Sequence, residues 1–193
     1  MRKTLARRVA QKLIVALVFF LEGECAFAQD WNVIASYGQA SASRSQGFAE
    51  AATLSVARDS PLGSGFSWGV ELTPLFVVHQ TRVDLPGRPR EIAYAVAVAP
   101  VLAWTWVPKA SRFSLRFEGA AGIFWGFSPI PAEGSRFNFL EEFTGLVLVR
   151  AGSDHLVSLG VLRVHVSNLG FAGPDNPGLS FYSGVVGVSR TAR

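Results

Sequence analysis

The sequence predicts an all-β protein that folds as an eight-stranded antiparallel transmembrane β-barrel. Nearly half of its 193 residues are hydrophobic (49%), yet beyond residue 28 no apolar run is long enough to cross a bilayer as a helix. Apolar residues instead alternate with small or polar ones over short runs, which is the pattern of strands with two different faces. Gly- and Pro-rich breaks separate eight such runs, and an even strand number is typical of membrane-spanning barrels.

The amino terminus predicts a secretory signal peptide. The first twelve residues carry five basic side chains and no acid, and nine apolar residues, LIVALVFFL, follow. The small-residue sequence AFA, which ends at residue 28, then provides a cleavage site. We therefore expect residues 1–28 to be removed and residues 29–193 to form one exported barrel domain. Cys25 leaves with the signal, so the mature chain has no cysteine.

The charge and composition exclude several classes of function. The formal net charge is +4, but removal of the basic signal leaves about +1, without a Lys-rich run or a basic helix. We therefore expect no nucleic-acid partner. No spacing of His, Cys or carboxylate residues predicts a metal site, and no cofactor is expected.

The eight runs follow one another along the chain, and the breaks between them contain turn-forming sequences such as Gly-Ser, Pro-Gly, Asp-Ser-Pro and Pro-Lys. In order, the predicted strands are Trp31 to Ser41, Phe48 to Arg58, Gly65 to Gln80, Glu91 to Trp106, Arg112 to Phe127, Phe137 to Gly152, His155 to Asn168, and Leu179 to Arg190.

The third run alternates between a bulky and a polar face. Its predicted bulky face comprises Phe66, Trp68, Val70, Leu72, Phe76 and Val78, and its predicted polar face comprises Ser67, Glu71, Thr73 and His79. Pro74 interrupts this run and Pro100 interrupts the next. Because proline cannot donate to a sheet ladder, we expect a bulge or an interruption at each position.

The fourth run gives the clearest indication of which face meets lipid. Bulky residues from Ile92 to Trp106 alternate with Ala93, Ala95, Ala97, Ala99 and Ala103. A soluble sandwich would bury the bulky face, but a row of alanines would cover it poorly from water. In a narrow barrel the bulky side chains face lipid and the alanines fit the lumen. The aromatic residues near the run's ends then belong to the interfacial girdles.

The fifth run places charged residues in the lumen. Phe113, Leu115 and Phe117 alternate with Arg112, Ser114, Arg116 and Glu118. Because inward charges must be paired, we expect Glu71, Arg116 and Glu118 to form a buried ion-pair network with a structural role. A barrel of about eight strands is too narrow for an aqueous pore, so transport by diffusion is not expected.

The last two runs form a hairpin that carries the candidate chemistry. His165 and Ser167 are two residues apart on one strand, so their side chains share a face about 6.6 Å apart, from which the imidazole can activate the hydroxyl. Asn168 and Gly170 follow, an amide and an unencumbered backbone of the kind that can bind an oxyanion.

The sequence HVSNLGFAGPDNPG at this hairpin, together with FEGAAGIFWGFSPIPAEGSRFNF at residues 117–139, resembles the PagL-type lipid A 3-O-deacylases, an outer-membrane barrel family related to acyloxyacyl hydrolases. The resemblance is specific only in the carboxy-terminal half. It implies that His165 is a general base, that Ser167 attacks an ester, and that Asn168 and Gly170 surround the oxyanion.

The acidic member of that family's triad is not matched. Alignment on Gly178 places Ser180 at the position of the family's Glu, and an ungapped count places Leu179 there. The hydroxyl of Ser180 can still accept the imidazole N–H. Asp175 in the preceding loop is the only nearby carboxylate in the sequence, and in a Pro-Asp-Asn-Pro segment it more often caps a turn.

These residues predict an esterase in the outer membrane of a Gram-negative cell. His165 and Ser167 share the face of Val157, Leu159 and Val161, which places the site on the lipid-facing side. Arg163 shares this face and can either meet a lipid phosphate or snorkel to the interface. The resemblance implies that the substrate is lipid A of lipopolysaccharide.

Two other interpretations of the chain remain open. A non-enzymatic outer-membrane barrel that binds lipopolysaccharide or stabilises the membrane is favoured by the missing Glu, and His165 and Ser167 are then polar residues at the membrane rim. The third interpretation is a soluble periplasmic lipid-binding barrel, which the outward aromatic residues disfavour.

Overall fold

The computed structural model describes residues 30–40, 49–81, 91–109, 111–132, 134–170 and 178–190. These residues form eight strands: β1 (Asp30–Ala40), β2 (Ala49–Gly63), β3 (Phe66–Gln80), β4 (Glu91–Trp106), β5 (Phe113–Gly126), β6 (Phe137–Arg150), β7 (His155–Ser167) and β8 (Leu179–Arg190). The predicted strands are confirmed, with ends that differ by one or two residues except that β2 continues to Gly63. The predicted signal peptide lies outside the described residues and stays a prediction.

The strands form a closed antiparallel barrel in which each strand pairs with its neighbours in sequence. Closure is made by β1 and β8, where Val33 lies opposite Val188 and Tyr37 opposite Gly184. All strand edges are therefore paired, as a barrel in lipid requires. No helix long and apolar enough to cross a membrane occurs within the described ranges.

The two faces of β4 are oriented as the alternation predicted. Its four alanines from Ala93 to Ala99 are at most 4% exposed and line the lumen. Ile92 and Leu102 on the other face are more than half exposed, at 52% and 54%. The prediction that the bulky face points outward is confirmed. We call this lipid-type surface the outer face.

A bulge at Pro74 makes the faces of β3 differ from the predicted ones in the second half of the strand. The register with β4 shifts between Thr73 and Phe76, which inserts residues into one strand and reverses the alternation beyond it. As a result Phe76 and Val78 are fully buried in the lumen, whereas His79 is exposed on the outer face. The assignment of these three side chains from strict alternation was wrong. At Pro100 the ladder with β5 is interrupted without a change of register.

Aromatic packing and a loop close one end of the lumen. Phe76 makes edge-to-face contacts with Phe124 and Phe181, at centroid distances of 5.1 and 5.9 Å. Ile130, in the segment after β5, is fully buried in the same apolar cluster, and its carbonyl accepts a hydrogen bond from Asn138 Nδ2 at 2.9 Å. The interior is therefore a packed core.

The predicted ion pair of Arg116 with Glu118 is present in the lumen and Asp59 joins it, whereas among the described residues Glu71 makes no ion pair with Arg116. Arg116 Nε donates to Glu118 at 2.6 Å, and the Nη2 group of the same guanidinium donates to Asp59. Glu71 is buried and accepts a hydrogen bond from a threonine hydroxyl at 3.3 Å. Glu142 is a further buried acid. Pairing and hydrogen bonding allow these charges to stay inside a closed barrel.

The two ends of the barrel differ in their connections. One end holds the first residue of β1, the last residue of β8 and the tight β2–β3 and β6–β7 turns. The opposite end holds the longer connections at 41–48, 81–90, 127–136 and 168–178. In outer-membrane barrels the short turns are periplasmic and the long loops extracellular. The hairpin site on β7 and β8 lies at the long-loop end.

Candidate active site on the outer face of β6 to β8

Three polar side chains form a row across adjacent strands of the outer face. The register places His165 on β7 directly opposite Glu141 on β6 and directly opposite Ser180 on β8. Directly opposite side chains in an antiparallel pair have Cβ atoms about 4.5–5.5 Å apart. We call Glu141, His165 and Ser180 the polar row. It lies two residues from the end of β7, next to Ser167 on the same face.

The imidazole of His165 is held on its β8 side. His165 Nδ1 and Ser180 Oγ are 2.8 Å apart and form a hydrogen bond. Since a hydroxyl both donates and accepts, either imidazole tautomer can make this bond. The predicted partnership of His165 with Ser180 is therefore present in the structure, although it contains no carboxylate.

The second imidazole nitrogen and Ser167 both face the space in front of Gly178. A Cβ atom built on Gly178 would be 2.8 Å from His165 Nε2 and 3.2 Å from Ser167 Cβ, so both groups border the same small space. Within the described part of the chain, no hydrogen bond joins the Ser167 hydroxyl to the imidazole. In proteins without substrate such contacts are often long and tighten only when substrate binds.

The structure also locates the residues predicted to surround an oxyanion. Asn168 is 2% exposed, and its Oδ1 accepts a hydrogen bond from the backbone N–H of Gly170 at 2.9 Å. That N–H is therefore engaged, whereas the Nδ2 donor of Asn168 has no hydrogen-bond partner among the described residues. Leu169 and Gly170 have φ values of 53° and 81°, which produce the sharp turn that follows Ser167.

An apolar groove on the outer face begins next to the polar row and has a volume of about 730 Å³. Glycines at positions 145 and 184 form its floor, because neither has a side chain that projects from the outer face. Its borders are Phe117, Phe143, Val161, Arg163 and Tyr182. We call this feature the outer groove. It extends from Arg163, two residues from His165, towards the short-turn end of the barrel.

Arg163 therefore lies at the border between the polar row and the groove. It pairs with Phe143 on β6 and Tyr182 on β8, so aromatic side chains flank its stem. Along β7, Arg163 is two residues further than His165 from the long-loop end of the barrel.

Two residues of this site were missed in the sequence. Glu141 is an exposed carboxylate opposite His165, so the statement that Asp175 is the only nearby carboxylate was wrong. Asp175 itself lies outside the described residues. The sequence places Glu141 in the sixth predicted strand, which is next to the strand of His165. Only the register between β6 and β7 shows that the two residues lie opposite each other. The steric role of Gly178 likewise needs coordinates.

No group of three or more His, Cys, Asp or Glu side chains within the described ranges could hold a metal ion. The outer face at this site presents an imidazole, two hydroxyls, a carboxylate and a guanidinium.

Comparisons with known proteins support the fold. No protein-family model matches the chain, and no curated protein matches it in sequence. Among solved structures, the chain is similar to the outer membrane enzyme PagL, with a TM-score of 0.58 and 19% identity over 81% of this chain and 97% of that one. It is also similar to Neisserial surface protein A, with a TM-score of 0.61 and 10% identity over 84% and 96% of the two chains. At these identities the similarity shows a shared barrel fold.

Proposed function

We propose that this protein is an outer-membrane esterase that removes an ester-linked acyl chain from lipid A of lipopolysaccharide. The observation that carries the proposal is the imidazole of His165, which is fixed at Nδ1 by Ser180 and borders Ser167 through Nε2, on the face where a membrane lipid would lie. The fold shared with the outer membrane enzyme PagL supports the same location.

The position of the site along the barrel favours a lipid of the outer leaflet as substrate. The polar row lies at the end with the long connections, which in this architecture is the extracellular end. Lipid A occupies that leaflet, and its acyl esters lie close to the headgroup level. A hydrolytic site on the outer face at this height can reach such an ester without extraction of the lipid.

The outer groove provides a place for the acyl chain. It is lined mainly by apolar side chains and runs from the polar row towards the interior of the membrane. Bound there, an acyl chain would be aligned with its neighbours in the leaflet, and its ester carbonyl would lie near Ser167. Arg163, between the polar row and the groove, can interact with the ester oxygens.

In the proposed reaction Ser167 Oγ attacks the ester carbonyl while His165 Nε2 accepts its proton. The imidazolium then protonates the leaving alkoxide, and water repeats the sequence on the acyl-enzyme. The resemblance assigns the oxyanion to Asn168 and Gly170; the Nδ2 group of Asn168 has no hydrogen-bond partner among the described residues, and a rotation of this amide would release the N–H of Gly170 as a second donor.

The test is incubation of purified, folded protein with lipopolysaccharide, followed by mass spectrometry of lipid A. We expect a mass decrease of one acyl group, and we expect Ser167→Ala and His165→Ala each to slow the loss of that acyl group. The losses should not add, because nucleophile and base act as one unit. A folded barrel migrates differently in gels before and after heating, a property called heat-modifiability. If preparations that pass this test of folding remove no acyl chain from several forms of lipid A, the proposal is refuted.

A second candidate is a non-enzymatic barrel that binds lipopolysaccharide, and the hydroxyl at position 180 is the observation that favours it. Loss of the acid from a Ser-His-Asp triad costs about 10⁴ in turnover. If the missing acid limits this protein, Ser180→Glu should raise activity towards that factor. If Ser180 is a working partner of His165, Ser180→Ala should lower activity and Ser180→Glu should change it little. Inactivity of both wild type and Ser180→Glu would favour the binding barrel.

A further inference from the structure

His165 lies between the hydroxyl groups of Ser167 and Ser180. Its imidazole forms a hydrogen bond with Ser180, which the proposed mechanism does not use as the nucleophile. Ser180 Oγ is 2.8 Å from Nδ1, which is within the 2.6–3.2 Å range expected for a nucleophile and its base. Ser167 borders Nε2 without a hydrogen bond within the described residues.

The identity of the group at position 180 decides which ring nitrogen can act as base. A carboxylate only accepts hydrogen bonds, so it keeps the proton on Nδ1 and leaves Nε2 free. A serine hydroxyl can also donate, and it then stabilises the other tautomer, in which Nδ1 is the free base. With Ser180 present, the site is not restricted to activation of Ser167.

Ser180 is also accessible from the lipid side. It is partly exposed on the outer face, two residues before Tyr182, which borders the outer groove. An ester group at the upper end of the groove therefore has a hydroxyl on each side of His165.

We propose that Ser180 is a second nucleophile of this site, with His165 Nδ1 as its base. This inference rests on the proposed ester hydrolysis and extends it to the other hydroxyl. The Ser180 Oγ–H bond breaks, its proton moves to Nδ1, and Oγ forms a bond to the ester carbonyl carbon. The bond to the leaving alkoxide then breaks, the imidazolium returns the proton to that oxygen, and an acyl ester of Ser180 remains. Water, deprotonated by Nδ1, hydrolyses it and regenerates the hydroxyl.

The two hydroxyls share one imidazole, so their reactions exclude each other. When Nδ1 accepts the proton of Ser180, Nε2 carries a proton and cannot activate Ser167. In any single reaction the imidazole can therefore activate only one of the two hydroxyls.

The experiment is labelling of the full-length folded protein with a long-chain alkyl fluorophosphonate, followed by peptide mass spectrometry to locate the adduct. We expect wild type to carry adducts at both Ser167 and Ser180. The Ser167→Ala variant should be labelled at Ser180. Since a positioned general base contributes about 10²–10⁴-fold, that labelling should slow by this factor when His165→Ala is added.

Controls separate chemistry from folding. Ser158→Ala removes a buried hydroxyl from the lumen side of β7 and should leave labelling unchanged. The double variant S167A/S180A should not be labelled, although it remains heat-modifiable on gels. Labelling of Ser167 alone, with an unreactive Ser167→Ala variant, would overturn the role of Ser180 and leave the proposed function intact. Absence of an adduct at both serines of wild type would overturn both proposals.

Discussion

The substitution Gly178→Ala should inactivate the site without unfolding the barrel. The added Cβ would lie 2.5 Å from His165 Cε1 and 2.8 Å from Nε2, whereas ordinary contacts begin at 3.4 Å. The imidazole must therefore move by about 1 Å, and a misplacement of this size can cost about 10²-fold in rate. The backbone of Gly178 is not left-handed, so an alanine meets no conformational strain there.

The assay is the initial rate of lipid A deacylation, measured with the rate of fluorophosphonate labelling. We expect both rates to fall about 10²-fold in Gly178→Ala while the substrate concentration for half-maximal rate changes little. Ser158→Ala is the control, because it changes one small side chain of the same hairpin on the lumen side of β7, away from the outer face. A Gly178→Ala variant that retains activity within a few-fold of wild type would refute the argument that this space positions the imidazole.

Three further predictions concern the groove, the lumen and the location of the protein. Gly145→Leu should fill the outer groove, since a Cβ there has only ordinary contacts of 3.9–4.0 Å, and should slow hydrolysis of long-chain substrates while p-nitrophenyl acetate hydrolysis is unchanged. Equal slowing of both substrates would argue against acyl binding in the groove. Arg116→Met should destabilise the barrel by about 3–5 kcal/mol in urea unfolding, because it leaves Asp59 and Glu118 buried without their cation. A smaller loss in the free energy of unfolding would mean that bound water or protonation of Asp59 and Glu118 compensates for the missing cation. The mature protein should fractionate with outer membranes and migrate anomalously in unheated gels, and recovery as a soluble periplasmic protein would remove the lipid-facing assignment.

The fold could be predicted from the sequence because a two-residue period is a local signal. On β4, the alternation of Ala93 to Ala99 with bulky residues is enough to predict which side chains point into the lumen, and no information about other strands is needed. The same rule failed for Phe76 and Val78, since a bulge at Pro74 reverses the alternation by an amount that the sequence does not specify. A proline indicates that the ladder is irregular, but only the pairing with β4 fixes the number of residues inserted.

The candidate site could be predicted only in part, for a related reason. His165, Ser167 and Ser180 belong to one hairpin, so local spacing and the resemblance of the hairpin to a known family brought them together. Glu141 is on β6, and its approach to His165 depends on the register between two strands. Asp59 was missed in the lumen for the same reason, because its contact with Arg116 crosses the barrel interior. Long-range register is set by the closure of the whole sheet, which no short stretch of sequence contains.

The structure behind the polar row explains how reactive groups can be held on a surface that faces lipid. Val164 and Val166 on β7 and Phe181 on β8 are at most 1% exposed and pack in the lumen directly behind His165, Ser167 and Ser180. Side chains on a strand alternate between faces, so His165 has buried Val164 and Val166 as neighbours along the chain, and Ser180 has buried Leu179 and Phe181. This packing fixes the backbone of the site, as a preorganised site on rigid elements requires. The outward residues carry little of the core, and loss of activity after their substitution therefore reports on chemistry, while heat-modifiability remains an independent measure of the barrel.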